Sequence, residues 1–152
     1  MINSDLPELV AKLKKSGKHV TIETAGITFI PDMPCDLMSI SPKLSKSTPK
    51  DPELAKIHED SRLDIAVLRA LIDGYTYQLK FVVDSEDDLP EIQQTIEEIG
   101  NVDLNKVMLM PQAATKDEFL AKSPMVAELC KRTGFAFCHR LQILLWNNKR
   151  GT

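Results

Sequence analysis

The chain has 152 residues, 43% of them hydrophobic and 27% charged, a balance that predicts one globular domain over residues 1–152 with enough apolar side chains for a core. A formal net charge of −3 leaves no general basic surface, so no nucleic-acid partner is expected, although Lys149 and Arg150 add local positive charge near the end. No run of about 18 apolar residues occurs, and no charged segment leading into an apolar one opens the chain, so neither a membrane span nor a secretion signal is expected and the predicted location is cytoplasmic.

From Asp5 to Ser16, Leu6, Leu9, Val10 and Leu13 recur at helical spacing with lysines opposite, and Gly17 follows as a stop, which predicts an amphipathic helix. Lys18 to Glu23 is short and β-branched, and Thr24-Ala25-Gly26 breaks it. Asp36 to Ser41 repeats that strand pattern after a proline-containing connection. Pro42 to Pro52 is rich in Lys, Ser and Pro and reads as a loop after a strand, a place where function concentrates. A helix is predicted over about Pro52 to Ile72. Tyr75 to Asp84 reads as the next strand, and Asp84-Ser85 begins a capped turn into a helix over Asp88 to Ile99. The acidic run Ser85 to Asp88 suits a helix N-terminus, where the dipole favours negative charge. Val107 to Met110 is a short apolar strand. Thr115 and Glu118 have capping-box spacing at the head of a helix reaching Arg132, with Gly134 ending it. Phe135 to Trp146 predicts one or two strands, with Trp146 in the core, before a polar tail.

Strands and helices that alternate at these lengths imply βαβ units, hence an α/β fold with a mostly parallel sheet and right-handed crossovers. Strands this apolar predict cover on both faces, in a doubly wound sheet or as part of a barrel. Cys35, Cys130 and Cys138 are odd in number and widely separated; they predict free thiols rather than a disulfide framework or a metal site. His19, His58 and His139 have no metal-ligand spacing either.

The remaining polar candidates fall just past strands, where ligands bind in parallel sheets and barrels. They are Glu23 and Thr24; Ser39, Ser41 and Lys43; Pro111 and Gln112; and Arg140, Gln142 and Asn147 to Thr152. Glu23 suits ribose hydroxyls or an amine, Ser41 and Lys43 a carboxylate or phosphate, and Gln112 the edge of a heterocycle. Lys80 interrupts the run Leu79-Lys80-Phe81-Val82, so it points to the opposite strand face or sits at the ligand edge. Taken singly, Thr24-Ala25-Gly26 also reads as a plain turn and Ser41-Pro42 as a strand terminator. No P-loop, GxGxxG, HExxH or Ser-His-Asp order occurs, so the residues alone point to a small-molecule site of unnamed chemistry.

Five blocks in order carry a more specific signal: His19 to Gly26 (HVTIETAG), Asp36 to Ser45 (DLMSISPKLS), Gln78 to Val83 (QLKFVV), Val107 to Gln112 (VMLMPQ), and Arg140-Leu141 with Trp146 to Thr152. Together they resemble the C-terminal part of the 7-carboxy-7-deazaguanine synthases, a family of radical S-adenosylmethionine (SAM) enzymes of queuosine and 7-deazapurine biosynthesis. The resemblance implies a partial (β/α) barrel, mostly parallel, with flanking helices. By that likeness Glu23 and Thr24 lie near the SAM ribose or amino group, and Ser41, Pro42 and Lys43 form a strand-end segment touching SAM. Pro111, Gln112 and Ala113 face the adenosine or the substrate. Arg140 and the tail ending at Thr152 serve the pterin pocket. The family reaction is a radical ring contraction of 6-carboxytetrahydropterin that uses a 4Fe-4S cluster and Mg²⁺.

The sequence also departs from the family pattern. The family's CxxxCxxC motif and its Gly-Gly-Glu-Pro strand end, both N-terminal to this region, are absent from these 152 residues, and three scattered cysteines do not replace a cluster's converging thiolates. Gln142 stands where many relatives carry histidine, and Asn148 or its neighbour where glycine is usual. The expectation is therefore a polypeptide that does not cleave SAM by itself and that self-associates or pairs with a complementary N-terminal half through an exposed strand edge. The alternative is a non-catalytic nucleotide-, pterin- or protein-binding module on the same fold; a related radical enzyme with another substrate is a third reading.

Overall fold

The computed structural model describes residues 5–149. Its helices in chain order are α1 (Leu6–Lys15), α2 (Pro52–Ser61), α3 (Ile65–Gly74), α4 (Leu89–Ile99), α5 (Lys116–Thr133) and α6 (Leu141–Trp146). The strands are β1 (Thr21–Thr24), β2 (Leu37–Ile40), β3 (Tyr77–Val83), β4 (Val107–Pro111) and β5 (Ala136–Phe137). They form one sheet in the order β1-β2-β3-β4-β5, with every neighbouring pair parallel. The order never reverses, so the sheet has no switch point of the doubly wound kind.

Strand alternation explains which face is buried. On β3, Tyr77, Leu79, Phe81 and Val83 are buried while Gln78, Lys80 and Val82 are half-buried. Residues paired across strands share a face, so the register Ile40 to Leu79 to Val107, with Phe81 opposite Leu109, builds one continuous apolar surface. Leu68 and Leu71 of α3, Ile92 and Ile99 of α4, and Val126 and Leu129 of α5 pack into the same core. Each such side chain contributes about 1.5–3 kcal/mol on burial.

The face opposite this core is mixed, with Glu23, Ser39, Gln78 and Lys80 set in register beside Val82, Met108 and Met110. Two expectations change here. The helix expected from Pro52 to Ile72 is two helices. Asp64 caps α3 by accepting the Val67 N–H at 3.0 Å, and an N-cap residue leaves the helical conformation, so the chain turns between Ser61 and Ile65. Finally, the strands expected over Phe135 to Trp146 reduce to the two-residue β5, followed by α6. Ile143 takes the buried side of this short helix, against Ala113 and Phe119, which leaves Trp146 at 47% exposure rather than in the core.

Other signals are found as read. Thr115 and Glu118 form a capping box, and the left-handed Gly134 closes α5. Of the α1 stripe only Val10 is buried, packed with Val20 and Met33, while Leu9 and Leu13 remain exposed. Among the described residues, no helix is long and apolar enough to cross a membrane.

Candidate functional site

Parallel strands deliver all their carboxyl ends to one edge, and there the residues past β1, β2 and β3 form a groove of about 400 Å³. Its lining is Glu23, Thr24, Ala25, Ser39, Ser41, Lys43, Lys80, Val82, Met110 and Arg140. The β1 tip is shaped by Gly26, whose φ of +79° suits glycine and whose absent Cβ would lie 2.3 Å from Leu68 Cδ2. The Gly26 N–H donates to Thr24 Oγ1 at 3.0 Å, which holds the turn. A second cavity of about 270 Å³ is lined by Pro42, Lys43, Leu44, Lys46, Ser47, Val82, Asp84, Asp88 and Gln112. Lys43 and Val82 line both spaces.

The fold thus brings Glu23, Thr24, Ser41, Lys43 and Arg140 together in one groove, and Pro42, Lys43 and Gln112 around its neighbour. Two of the sequence-derived residues stand apart. Pro111 ends β4 buried, in register with Val83 on the helix-packed face, and Ala113 is buried against Phe119 and Ile143. Ala113 still touches the site, because its carbonyl accepts a hydrogen bond from Arg140 Nη1. Thr152 lies outside the described residues. Lys80, for which sequence left two readings open, satisfies both: it points away from Leu79 and Phe81 and lines the groove.

The groove is cationic, with Lys43, Lys80 and Arg140 against the single carboxylate of Glu23. Lys80 Nζ lies 3.4 Å from Glu23 Oε1, its side chain 14% exposed against 76% for Glu23. Below them Gln78 Nε2 donates to Ser39 Oγ at 2.9 Å. Burial pushes the Cys138 thiol above its ordinary range, with Lys80, Glu23 and Arg140 acting on it as smaller influences of mixed sign, so it stays protonated and is no thiolate nucleophile at neutral pH.

Sequence reading did not find the polar frame around the second cavity. Asp88 accepts from the Asp84 N–H at 2.7 Å and the Ser85 N–H at 3.1 Å, and meets Lys46 Nζ at 2.8 Å. Burial alone would raise its carboxyl; the bonds from Lys46, Ser85 and Asp84 outweigh that and hold it below its ordinary value. Arg62 Nη1 donates to the Lys43 carbonyl and to Glu91 Oε1, each at 2.9 Å, while Glu91 also accepts the Ser45 N–H and hydroxyl. This frame fixes the segment carrying Lys43. Its one sequence signal was the spacing of Ser85 and Asp88, which form a capping box; the other partners of the frame lie 19 to 46 residues apart in the chain.

Metal ligation does not fit the residues present. Cys130 is buried in α5, Cys35 precedes β2 and Cys138 follows β5, and among the described residues no group of three or more His, Cys, Asp and Glu side chains could hold an ion. Among the described residues the three cysteines supply no converging thiolates for an iron–sulfur cluster.

An all-parallel, sequentially ordered sheet with a polar cationic groove at its strand ends defines an α/β protein with a candidate small-molecule site. Three curated relatives make the class specific. A 7-carboxy-7-deazaguanine synthase of Rhodopirellula baltica is 42% identical over 156 residues, a match covering all of this chain and 60% of that protein. The 7-carboxy-7-deazaguanine synthase of Halobacterium salinarum is 39% identical, covering 97% of the chain and 62% of the relative. That of Pyrobaculum aerophilum is 29% identical, covering 96% and 60%. No protein-family profile matches the chain, and no solved structure matches it. By sequence the chain is a relative of the 7-carboxy-7-deazaguanine synthases, as its five blocks implied, and it spans about 60% of the length of the curated relatives it matches.

Proposed function

We propose that these residues form the ligand-binding, C-terminal portion of a cytoplasmic radical SAM enzyme of the 7-carboxy-7-deazaguanine synthase type, and that the five strands are an arc of a partial (β/α) barrel. The supporting observation is the convergence of Glu23, Thr24, Ser41, Lys43 and Arg140, drawn from separate matched blocks, on one groove at the strand ends.

In this reading Ser41 and Lys43 receive the anionic end of SAM, Glu23 and Thr24 its ribose or amino group, and Gln112 the edge of its adenine. Arg140 faces the carboxylated pterin, and Val82 with Met110 gives the ring an apolar wall. SAM, beside a reduced cluster held outside the described residues, would supply the radical chemistry by which the pterin ring contracts to 7-carboxy-7-deazaguanine with loss of ammonia. These residues bind and orient; no step of the redox chemistry is assigned to them, because no cluster ligand set is present among those described. The cluster ligands and the strands that pair with the outer edge of β1 are assigned to the part of the relatives' length that this chain does not span, or to a partner bearing it.

The expected behaviour is SAM binding without SAM cleavage. Anaerobic iron–sulfur reconstitution of the chain, followed by assay for 5′-deoxyadenosine, is expected to yield no product above background, while calorimetry detects SAM binding. Sustained turnover by the chain alone, or no binding at all, contradicts this reading.

A further inference from the structure

Two half-buried cations, Lys80 and Arg140, line the same groove. The Lys80 ammonium is three-way donating and only 14% exposed, yet among the described residues its acceptor is Glu23 Oε1, at a long 3.4 Å. Glu23 is itself 76% exposed, so the pair is of the solvent-screened kind that contributes little. Arg140 donates Nη1 to the Ala113 carbonyl, but its Nε is buried with no acceptor. Charged donors removed from water with weak acceptors or none are costly, and here both cations line one groove with apolar Val82 and Met110 beside them.

We infer that Lys80 and Arg140 form a carboxylate-binding site on the floor of the groove, with Lys80 as a specificity-determining residue that leaves Glu23 for a ligand carboxylate. Both ligands of the proposed function carry such a group, SAM on its methionyl end, which Lys80 and Arg140 would share with Ser41 and Lys43 of the same groove, and the pterin at its ring carboxyl. The site rests on that reading for the identity of its ligand, and on the two groove cations alone for its chemistry. Arg140 adds the positive charge of its guanidinium to the groove lining, so the carboxylate lies beside two cations.

The test uses the 152-residue chain with labelled lysine, following the ε-methylene resonance of Lys80 during titration with matched probes. One pair is S-adenosylhomocysteine and 5′-methylthioadenosine, the other pterin-6-carboxylate and unsubstituted pterin; in each, only the first carries the carboxylate. The resonance is expected to move with the carboxylate-bearing member of one pair and not with its counterpart, and the pair that discriminates identifies the source. Lys80→Met is expected to weaken that member about tenfold and leave its counterpart unchanged, with Lys80→Arg restoring most of the loss. Equal weakening of both members, or binding without any response at Lys80, overturns the inference. Should no nucleoside or pterin bind, malonate decides: a response at Lys80 keeps the carboxylate site and removes the proposed function, whereas silence removes the site. Because the resonance is read in the unsubstituted chain, the outcome does not depend on the variants folding.

Discussion

Asp88 is 3% exposed, yet its carboxyl is held below the ordinary 3.8 because Lys46 and two backbone N–H groups outweigh the burial that would raise it. A depressed folded-state value means that the native state resists protonation more than the unfolded chain does, so its stabilisation is full above the ordinary value and is lost as pH falls through and below it. Asp88→Asn is expected to cost about 2 kcal/mol at neutral pH, since it unpairs Lys46 and weakens the bonds to Asp84 and Ser85. The difference from the parent should shrink steadily below about pH 4. Urea unfolding of both proteins across that range checks it. A constant difference would mean that Asp88 is not the titrating group. Glu59, drawn down to about 2 chiefly by the Thr48 hydroxyl and then by Arg62, acts in the same acid window from the surface.

At the scale of elements, α5 carries its own flaw. Pro124 lies inside this 18-residue helix, where it lacks an N–H to donate to Leu120 and crowds the preceding turn. Its side chain is exposed, so replacing it forfeits no core contact. Pro124→Ala is expected to raise stability by about 1 to 3 kcal/mol, seen as a higher urea midpoint with an unchanged slope; an unchanged or lower midpoint would show that the proline kink is needed for packing on the sheet. The strong cap at Thr115 and Glu118 and the stop at Gly134 explain why helix periodicity was readable across this residue. The break between α2 and α3 went unread because Pro52 to Ile72 contains no internal glycine or proline, and an aspartate cap such as Asp64 looks like any surface acid until its partner N–H is placed.

For the molecule as a whole, both ends of the sheet are edges, and β1 leaves the N–H and C=O groups of one side of Thr21–Thr24 unpaired by any strand among the described residues. Such an edge pairs readily with another chain, and the exposed Leu9 and Leu13 of α1 add apolar surface on an element packed against Val20 and Ile22. Sedimentation velocity is expected to show weight-average mass rising with concentration, and Thr21→Lys, which sets a charge on the edge, to reduce it. A monodisperse monomer at high concentration would remove the proposal of a complementary partner at this edge.

Local chemistry determined most of the elements, and the five ordered blocks determined the kinship, because capping spacing, strand alternation and motif order are properties of neighbouring residues. They also placed Glu23, Thr24, Ser41 and Lys43 at strand ends, since a polar tip after a Val or Ile run is visible in sequence alone. Tertiary structure decided which tips meet. Only the register of β1, β2 and β3 sets Lys80 beside Glu23 and Gln78 beside Ser39, and only packing against Phe119 and Ile143 withdraws Ala113 into the interior. It also decided that one face of the sheet is apolar while the other sets Glu23, Ser39, Gln78 and Lys80 beside Val82, Met108 and Met110. Lys46 and Asp88 lie 42 residues apart and Lys80 and Glu23 57 apart; the energy of such pairs depends on distance in space, which no pattern along the chain encodes.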